Sequence, residues 1–574
     1  MPRRDDDRAT GDAPVVRGHD EPAAGDPPGK AARARTAAPP SSGDKPDADR
    51  ADRPSRRLAR STAIFSVATG ASRVLGLVRE IIVRRMFGVE GPINAFTVAF
   101  QVPNLVRALV ADAALSAAFV PVFSELLEKR DTARAWRIAS TLFWLVLLAL
   151  GGLTALFVLL APWLTRPFGY AGEDQELVVG LSRVLFPIVV LLGLSGIVVG
   201  ILNSYEHFAA PALAPVAWNA VIILGLLLGV PRADSTSADL YVYAGSIVVA
   251  TVVQLLLPVP WLRGRDDRLR VVIDWRDPAV GRVLAHMVPV TLGLGLINFN
   301  QLVNTFFAAR YIDPNLAPSA IEAAFRIYML PQGMFAVAVA TVLFPRLSRL
   351  AAREDTAAFR ATVSQGLRQI GFLLVPASAV GAVLAVPIVR LLYERGAFGP
   401  EETEVVGEAL AAFAAGLTFN GAMLMLNRAF FSLQSAWVPT AIGLGNLALQ
   451  VALNAALFRV GVWGIPLATA LVNAAGATAL LVVLRRRLGR VDAGRILAAY
   501  LRIVLAAGAG AAAAFAAWYA IDAALGRSLG AQILSVGTGV AAGAAAFLLL
   551  ARILRLEELD ALVSLVRRSR ARTS

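Results

Sequence analysis

The sequence predicts an all-α integral membrane protein with about fourteen transmembrane helices, arranged as two pseudo-symmetric six-helix lobes plus two C-terminal helices. Three observations lead to this fold class. Hydrophobic residues make up 57% of the chain and charged residues only 17%, whereas a soluble chain is nearer to a quarter charged. Apolar runs of about 20 residues, the length that crosses a bilayer, alternate with short polar breaks. Basic residues, finally, are concentrated in alternate breaks.

The apolar runs predict the helices in chain order. They lie near 62–87, 93–121, 136–161, 180–202, 211–230, 240–261, 283–309, 320–345, 368–393, 405–431, 437–458, 462–484, 497–521 and 529–551. The breaks after the second, sixth, eighth and twelfth helices are rich in arginine, whereas most other breaks carry one basic residue or none. By the positive-inside rule both termini are then cytoplasmic. Because the basic residues are distributed in this way, we attribute the net charge of +14 to membrane topology and not to nucleic-acid binding.

A weak internal repeat sets the predicted domain organisation. "FVPVFSEL" at the exit of the second helix resembles "LFPRLSRL" at the exit of the eighth, and a six-helix spacing gives parallel repeats with substrate between two lobes. The polar N-terminal stretch cannot bury enough apolar surface to fold. The predicted divisions are a disordered cytoplasmic tail (1–58), an N-lobe (59–265), a C-lobe (266–490), helices thirteen and fourteen (491–555) and a basic cytoplasmic C-terminal tail (556–574).

Several kinds of chemistry are excluded by composition. The chain has no cysteine, so it forms neither disulfides nor thiolate metal sites, and none of its three histidines has metal-ligand spacing. Neither a Walker loop nor a GxSxG elbow is present. These absences argue against a soluble-type enzyme and leave an intramembrane carboxylate or arginine site open. The sequence predicts no cofactor and no metal, and a transporter in place of an enzyme on the resemblance given below.

Charged residues inside the first apolar run mark the candidate site. At 100° per residue one helix face carries Thr69, Ser72, Arg73, Gly76, Arg79 and Glu80. A stripe of small and charged residues against an apolar back predicts a helix that lines a cavity. Arg84 continues the stripe at the cavity mouth. A purely structural pairing of Glu80 with one arginine is the alternative, but two arginines share that carboxylate and positive charge is left over.

Two further arginines lie at comparable places in other helices. Arg107 follows a proline in the second helix, with Asp112 five residues later, and Arg326 in the eighth helix has no acidic residue within a turn. Pro103 and Pro331 are predicted to break these helices and free backbone groups that must face protein or water. Because arginine offers a planar fork for phosphate, the four arginines predict an anionic, phosphorylated ligand, and the membrane location favours an amphiphile.

Several stretches of the sequence resemble those of a known family. The resemblance covers about residues 60–555 and rests on the stretches "SRVLGLVRE", "NAFTVAFQVPNLVRAL", "LSAAFVPVF", "ILNSYEHFAAPALAP" and "LYERGAF". These are similar to the MurJ/MviN family of lipid II flippases, within the multidrug/oligosaccharidyl-lipid/polysaccharide exporter superfamily. The resemblance implies alternating access, a cationic cavity for the pyrophosphate of lipid II, and a groove for its polyprenyl tail on the last two helices. Its implied cavity residues are Arg73, Arg79, Arg107 and Arg326, accompanied by Glu80.

The function implied is the flipping of lipid II from the cytoplasmic to the outer leaflet of the bacterial plasma (inner) membrane, for cell-wall synthesis. An exporter of another polyprenyl-linked oligosaccharide, or of a drug, is the alternative within the superfamily, although an exporter of cationic drugs should carry cavity carboxylates. A membrane scaffold is the alternative outside it, but a scaffold has no need of charges facing a cavity. The N-terminal tail is a candidate contact for cell-wall synthesis or division proteins.

The chain also departs from the family pattern. Asn94 stands where the family commonly has Asp, and Phe325 stands where an acid often precedes the arginine of the eighth helix. The seventh helix carries amides, including Asn300 and Asn304, but no acid. With two fewer counter-charges, the cavity is predicted to be more basic than in the family.

Overall fold

The apolar runs fold into helices at the predicted places. The computed structural model describes residues 48–110, 114–489 and 493–559, with the side chains of 67–106, 118–287, 299–489 and 494–559. Within these ranges the helices, numbered in chain order, are α1 (Ala48–Phe87), α2 (Ile93–Val110), α3 (Ala114–Glu128), α4 (Thr132–Thr165), α5 (Gly172–Leu185), α6 (Ile188–Ser204), α7 (Ala209–Gly229), α8 (Thr236–Leu256), α9 (Pro278–Phe307), α10 (Ala317–Pro331), α11 (Val337–Ala352), α12 (Thr356–Val383), α13 (Ala385–Tyr393), α14 (Pro400–Ser432), α15 (Trp437–Leu457), α16 (Gly464–Leu488), α17 (Ala493–Leu525) and α18 (Leu529–Ile553). The all-α membrane fold is confirmed.

The fourteen predicted helices correspond to these eighteen described segments. The fourth is α5 with α6, the eighth α10 with α11, and the ninth α12 with α13. The second comprises α2 and α3, on either side of residues 111–113, which lie outside the described part. Eleven stretches of the described chain are long and apolar enough to cross a membrane.

Proline affects two of these helices differently. Pro331 ends α10, and the π-helix Gln332–Ala336 follows it before α11 begins. This agrees with the predicted break, since proline lacks the N–H that would continue the helix. The predicted break at Pro103 is wrong, because α2 continues through that residue to Val110. One missing hydrogen bond can be accommodated in a membrane helix when the freed carbonyl is satisfied nearby.

Polar residues in the breaks start the helices that follow. Asp131, Ser235, Asp277, Asp355 and Ser528 each accept a hydrogen bond from a backbone N–H in the first turn of the next helix. These N-caps satisfy donors that have no partner inside the helix. The short polar breaks therefore fix where α4, α8, α9, α12 and α18 begin.

The buried apolar residues form two large clusters and a smaller third one. The first consists mainly of residues from α2 to α9, and the second mainly of residues from α10 to α16. Val83 of α1 belongs to the first cluster and Val89, just after α1, to the second. α9 packs against α2, α3 and α15. The third cluster joins α12 to α17 and α18.

The two ends of the chain differ from their predicted boundaries. The features below all lie in the compact unit that begins at residue 57. α1 begins at Ala48, inside the stretch predicted to be disordered, and residues 1–47 lie outside the described part. The predicted C-terminal tail is wrong at its start, because Leu556 and Glu558 are buried, Leu556 among the apolar residues of the third cluster.

Candidate functional site

A basic cavity of about 490 Å³ lies among α1, α2, α6, α7, α8 and α10. Its polar lining residues are Arg79, Glu80, Arg84, Thr97, Asn104, Trp218, Asn219, Tyr243, Thr251, Gln254, Glu322 and Arg326. The charged residues all come from α1 and α10, whereas α2, α7 and α8 contribute neutral polar groups. Two of the four arginines predicted for the site, Arg79 and Arg326, therefore line one cavity.

Glu80 and Arg84 form a buried ion pair one helical turn apart on α1. Nε and Nη2 of Arg84 donate to Oε1 of Glu80 at 3.0 and 2.8 Å. Nη1 of Arg84 donates to the hydroxyl of Ser319 on α10 at 2.5 Å. Removing one member of a buried pair typically costs about 3–5 kcal/mol, because the other charge is left unpaired. Glu80 therefore neutralises Arg84 chiefly, and the pair links α1 to α10.

Arg79 has mostly neutral partners. Its Nη1 donates to Oδ1 of Asn219 at 3.2 Å, and its guanidinium carbon lies 4.9 Å from the centre of the Trp218 ring. Its closest approach to Glu80 is 4.0 Å. The buried Nε finds no hydrogen-bond partner among the described residues. Arg79 thus keeps both its charge and unused donor capacity inside the cavity.

Arg326 has a carboxylate partner that the sequence interpretation overlooked. Its Nη2 donates to Oε1 of Glu322 at 2.8 Å, across one turn of α10. The expectation that no acid lies close to Arg326 was wrong, because residues four apart are neighbours on a helix surface. Nearly half of the Arg326 side chain remains exposed, at 45%, so the guanidinium is still accessible from the cavity.

The charge balance of the cavity favours an anion. Among the described lining residues three arginines face two glutamates, which leaves one positive charge in excess. An unbalanced charge away from bulk water interacts strongly with an ion of opposite sign. A guanidinium also offers parallel donors that match phosphate or carboxylate oxygens. The cavity is therefore suited to hold an anionic group, with neutral polar side chains on the opposite wall.

The other predicted site residues lie elsewhere. Arg73 is exposed and does not line this cavity; its Nη1 lies 3.3 Å from where a Cβ on Gly333 of the π-helix would be. Gly76 faces Asn219, whose Oδ1 would lie 3.9 Å from an added Cβ. The side chain of Arg107 lies outside the described residues.

The remaining predicted residues are Asp112 and the two prolines. Asp112 lies outside the described part of the chain. Pro103 is buried within α2, and Pro331 lines a different, apolar cavity. Neither proline, accordingly, is among the described residues that line the basic cavity.

Glu402 links two segments of the chain at the end of α1 that is predicted to face outward. Its Oε1 accepts hydrogen bonds from the backbone N–H groups of Val89 and Glu90, at 2.8 and 3.0 Å. Its Oε2 accepts from the N–H of Gly399 at 2.6 Å, which caps α14. Gly88 allows this approach, because it has a φ of +63° and a Cβ there would lie 2.7 Å from Oε1. One buried carboxylate thus joins the loop after α1 to the start of α14.

The "LYERGAF" stretch makes a second connection at the same end. Gly396 has a φ of +66°, and a Cβ there would lie 2.3 Å from the carbonyl oxygen of Arg85. The N–H of Ala397 donates to that same carbonyl at 2.9 Å. Only glycine permits this left-handed turn so close to another backbone segment.

Asn94 lies at this same end and is not among the described residues that line the basic cavity. Its Nδ2 donates to the carbonyls of Val89, Gly91 and Asn315 at 2.8, 3.1 and 2.5 Å. Its Oδ1 accepts from the N–H of Ser319 at 2.8 Å. The side chain therefore uses donor and acceptor together to join the start of α2 to the start of α10. We call the connections made by Glu402, Gly396 and Asn94 the outer seal.

A second large cavity is almost entirely apolar. It measures about 570 Å³ and lies between α10, the π-helix, α12 to α14, α17 and α18. Phe372, Pro376, Ala377 and Phe547 are among its lining residues. Tyr328 and Pro331 line it from α10, whose other face carries Arg326. One helix therefore separates the basic cavity from an apolar one large enough for hydrocarbon.

Sequence interpretation missed three kinds of contributor to the site. Glu322 was detectable from its spacing to Arg326. Trp218 and Asn219 were harder to detect, because the only indication was a side chain with a hydrogen-bonding group in the middle of an apolar run. Glu402 gave none, since an acid in the first turn of a helix is usually a cap and its second role depends on a loop far away in the chain.

Comparison with known proteins identifies the fold. The structure is similar to one described as "Lipid II flippase MurJ, inward closed conformation", with a TM-score of 0.70, 22% identity and coverage of 86% of this chain and 99% of that one. An inward-facing MATE-family transporter of the MOP superfamily matches with a TM-score of 0.62, 17% identity and coverage of 74% and 96%.

Sequence comparison agrees with the structural match. The lipid II flippase MurJ of Burkholderia cenocepacia is 30% identical over 68% of this chain and 76% of its own length. The probable lipid II flippase MurJ of Vibrio cholerae is 31% identical over 70% and 78%. The sequence profile described as lipid II flippase MurJ matches residues 83–535. The chain therefore belongs to the MurJ family.

Proposed function

We propose that this protein flips lipid II from the cytoplasmic to the outer leaflet of the bacterial inner membrane, for cell-wall synthesis. The observation that carries the proposal is the basic cavity, in which Arg79 retains charge and unused donors. Lipid II presents a pyrophosphate, and arginine forks bind such oxygens. The chain belongs to a family named for the flipping of lipid II, and this membership supports lipid II as the substrate.

The two cavities divide the substrate by polarity. The pyrophosphate is held by Arg79 and Arg326, with Arg73 and Arg107 as the further arginines implied by the family pattern. Neutral polar groups on the opposite wall, such as Thr97 and Gln254, face the sugar and peptide portions. The apolar cavity beside α17 and α18 takes part of the polyprenyl tail, because apolar surface buried there avoids water. The tail then passes around α10.

Transport proceeds by alternating access between two lobes, 59–265 and 266–490. The outer seal holds the cavity shut on the side predicted to face outward while the substrate loads from the cytoplasm. Binding of the pyrophosphate draws Arg79 and Arg326 toward one anion. Release outward follows when the bonds of Glu402 and Asn94 across the seal are broken. Glu80 balances the charge of Arg84 throughout, so that this arginine supports the cavity and does not compete for the phosphate.

Depletion of the protein tests the proposal. We expect lipid II to accumulate on the cytoplasmic face when the only copy is depleted, and to reach the outer face again on expression of the parent chain. Arg79→Gln should fail to restore it, whereas Arg85→Gln, an exposed arginine on the same helix, should restore it. Normal outer-face lipid II in depleted cells would contradict the proposed function.

A further inference from the structure

Three cavities follow one another along a single face of α12. The apolar cavity ends at Phe372 and Leu373, which also line a smaller apolar cavity of about 330 Å³. That cavity shares Gln365, Gln369 and Glu558 with a third one, of about 310 Å³, which is polar and charged. The face therefore changes from hydrocarbon-like to ionic toward the start of α12. The ionic end lies next to the arginine-rich break predicted to be cytoplasmic.

The ionic end, which we call the α12 mouth, contains two arginines. It is lined by Ala361, Ser364, Gln365, Arg368, Gln369, Arg495, Glu557 and Glu558. Nη1 of Arg368 donates to both glutamates at 2.8 Å, and Nη2 of Arg495 donates to Glu557 at 3.4 Å. The Nε of Arg368 is buried and finds no partner among the described residues. Glu557 therefore bridges two guanidinium groups, as a phosphate would.

The two glutamates differ in how firmly they are held. Glu558 is 4% exposed, and its neighbour Leu556 is buried with Phe372 and Phe547. The backbone turn after α18 is fixed by a hydrogen bond from the N–H of Leu556 to the carbonyl of Ala551. Glu557, in contrast, is 59% exposed, and its side chain can move into water without disturbing this turn. Only Glu557 is free to leave the arginines.

We propose that the α12 mouth is a binding site for the phosphate of an anionic lipid, which replaces the carboxylate of Glu557 between Arg368 and Arg495. The chain of the lipid then lies along α12 through the smaller apolar cavity and into the larger one when no polyprenyl tail occupies it. From Gln365 to Val380 this path is roughly 22 Å at the helical rise, close to the length of an extended long acyl chain or of the first part of a prenyl chain. The inference rests on the proposed function only in placing hydrocarbon in the apolar cavity.

Glu557 has a second consequence in this arrangement, because it competes with the lipid. The hydrogen bond from Arg368 holds the pKa of Glu557 below its usual range, so the carboxylate is charged at neutral pH. Removing the glutamate charge should strengthen lipid binding, and removing the arginine charge should weaken it. If the cluster only stabilised the fold, removal of the glutamate charge and removal of the arginine charge would change lipid binding in the same direction.

A quenching measurement at the mouth tests the site. Because the chain has no cysteine, Ala361→Cys carries a single fluorophore at the mouth, and brominated phosphatidylglycerol quenches it on contact. We expect Glu557→Gln to lower the half-quenching concentration by about tenfold, because the competing negative charge is lost, and Arg495→Gln to raise it by about tenfold, because a charged donor to the phosphate is lost. Both side chains are mostly exposed, so folding is preserved. Glu125→Gln, at another exposed ion pair, is the matched control.

Competitors then identify the source of the phosphate. Unbrominated polyprenyl monophosphate and phosphatidylglycerol should each relieve the quenching. The one that competes at the lower concentration is the lipid that the site prefers. The proposal is overturned if brominated phosphatidylcholine quenches equally, if inorganic pyrophosphate competes as well as a lipid, or if both variants shift binding in the same direction or not at all. Arg79→Gln should leave the quenching unchanged, so a failure of lipid II flipping is distinguishable from a failure of this site.

Discussion

Among the cavity arginines, Arg79 is the one whose hydrogen-bond and ring partners are neutral, with Glu80 no closer than 4.0 Å, and its contacts depend on the shape of the guanidinium as well as on its charge. It donates to Asn219 while its guanidinium lies over the Trp218 ring. Lysine keeps the charge but loses the planar fork. We expect Arg79→Lys to be inserted normally yet to flip lipid II at least about tenfold more slowly, as the loss of one charge-assisted hydrogen bond implies.

Growth of cells in which the variant is the only copy, with its level in the membrane measured by immunoblot, checks this expectation. Arg85→Lys, on the same helix but exposed, is the matched control. Full activity of Arg79→Lys would show that a positive potential alone is sufficient.

Glu322 sets how tightly Arg326 can hold an anion. With its carboxylate 2.8 Å from Arg326, Glu322 competes with any phosphate for the same donors. Glu322→Gln should therefore bind a pyrophosphate lipid several-fold more tightly and release it more slowly, so that affinity rises while turnover falls. Equilibrium binding and flipping rates in proteoliposomes measure the two effects separately. Affinity that fell with the rate would show instead that Glu322 positions Arg326.

At the scale of the elements, the outer seal predicts where the protein opens. Thr97 lines the cavity and is buried, so a cysteine there should be protected from a membrane-impermeant thiol reagent applied outside intact cells. Adding Glu402→Ala should increase labelling of Thr97→Cys about tenfold or more, because two hydrogen bonds to the loop after α1 are lost.

Glu401→Ala provides the matched control, because Glu401 is the exposed neighbour of Glu402 in the first turn of α14. It should leave the labelling low. Thermal unfolding of both variants in detergent separates opening from loss of structure. Equal labelling in the two variants would show that Glu402 caps its helix without holding the seal.

On the scale of the whole molecule, the distribution of arginines predicts the orientation. A cysteine in place of Asp267, in the arginine-rich break after α8, should resist the impermeant reagent in intact cells and react after permeabilisation. One in place of Ser237, exposed at the start of α8, should react in intact cells. Because the chain has no native cysteine, each signal has one source. Labelling of the Asp267 position from outside would reverse the topology.

Local properties explain which features were predictable. A run of about 20 apolar residues is a property of one segment, so the number and order of the helices follow from it. The pairs Glu80–Arg84 and Glu322–Arg326 are likewise local, since residues four apart meet on a helix. The π-helix after Pro331 is a local adjustment whose register depends on packing around it, and the sequence indicated only that the helix would be interrupted there.

Contacts between distant parts of the chain explain what was missed. Asn219 meets Arg79 across 140 residues, Ser319 meets Arg84 across 235, and Glu402 meets Val89 across 313. No periodicity encodes such pairs. Asn94 is an example. Its departure from the family pattern suggested that the cavity lacks a negative charge, whereas in the structure its side chain is a hydrogen-bonding link in the outer seal.

The two carboxylate oxygens of Glu402 have different partners, and this difference bears on how well the membrane holds its voltage between transport cycles. Oε2 caps its own helix, so of the bonds that Glu402 makes, only the two to Oε1 cross the seal and have to break on opening. At about 1.5–3 kcal/mol for each bond to a charged group, these favour closure by roughly two to four orders of magnitude. An empty basic cavity that was open at both ends at once would conduct anions. If the seal keeps the outer end closed while the cytoplasmic end is open, the transmembrane voltage is preserved, and the start of α14 does not have to be re-formed at each turnover.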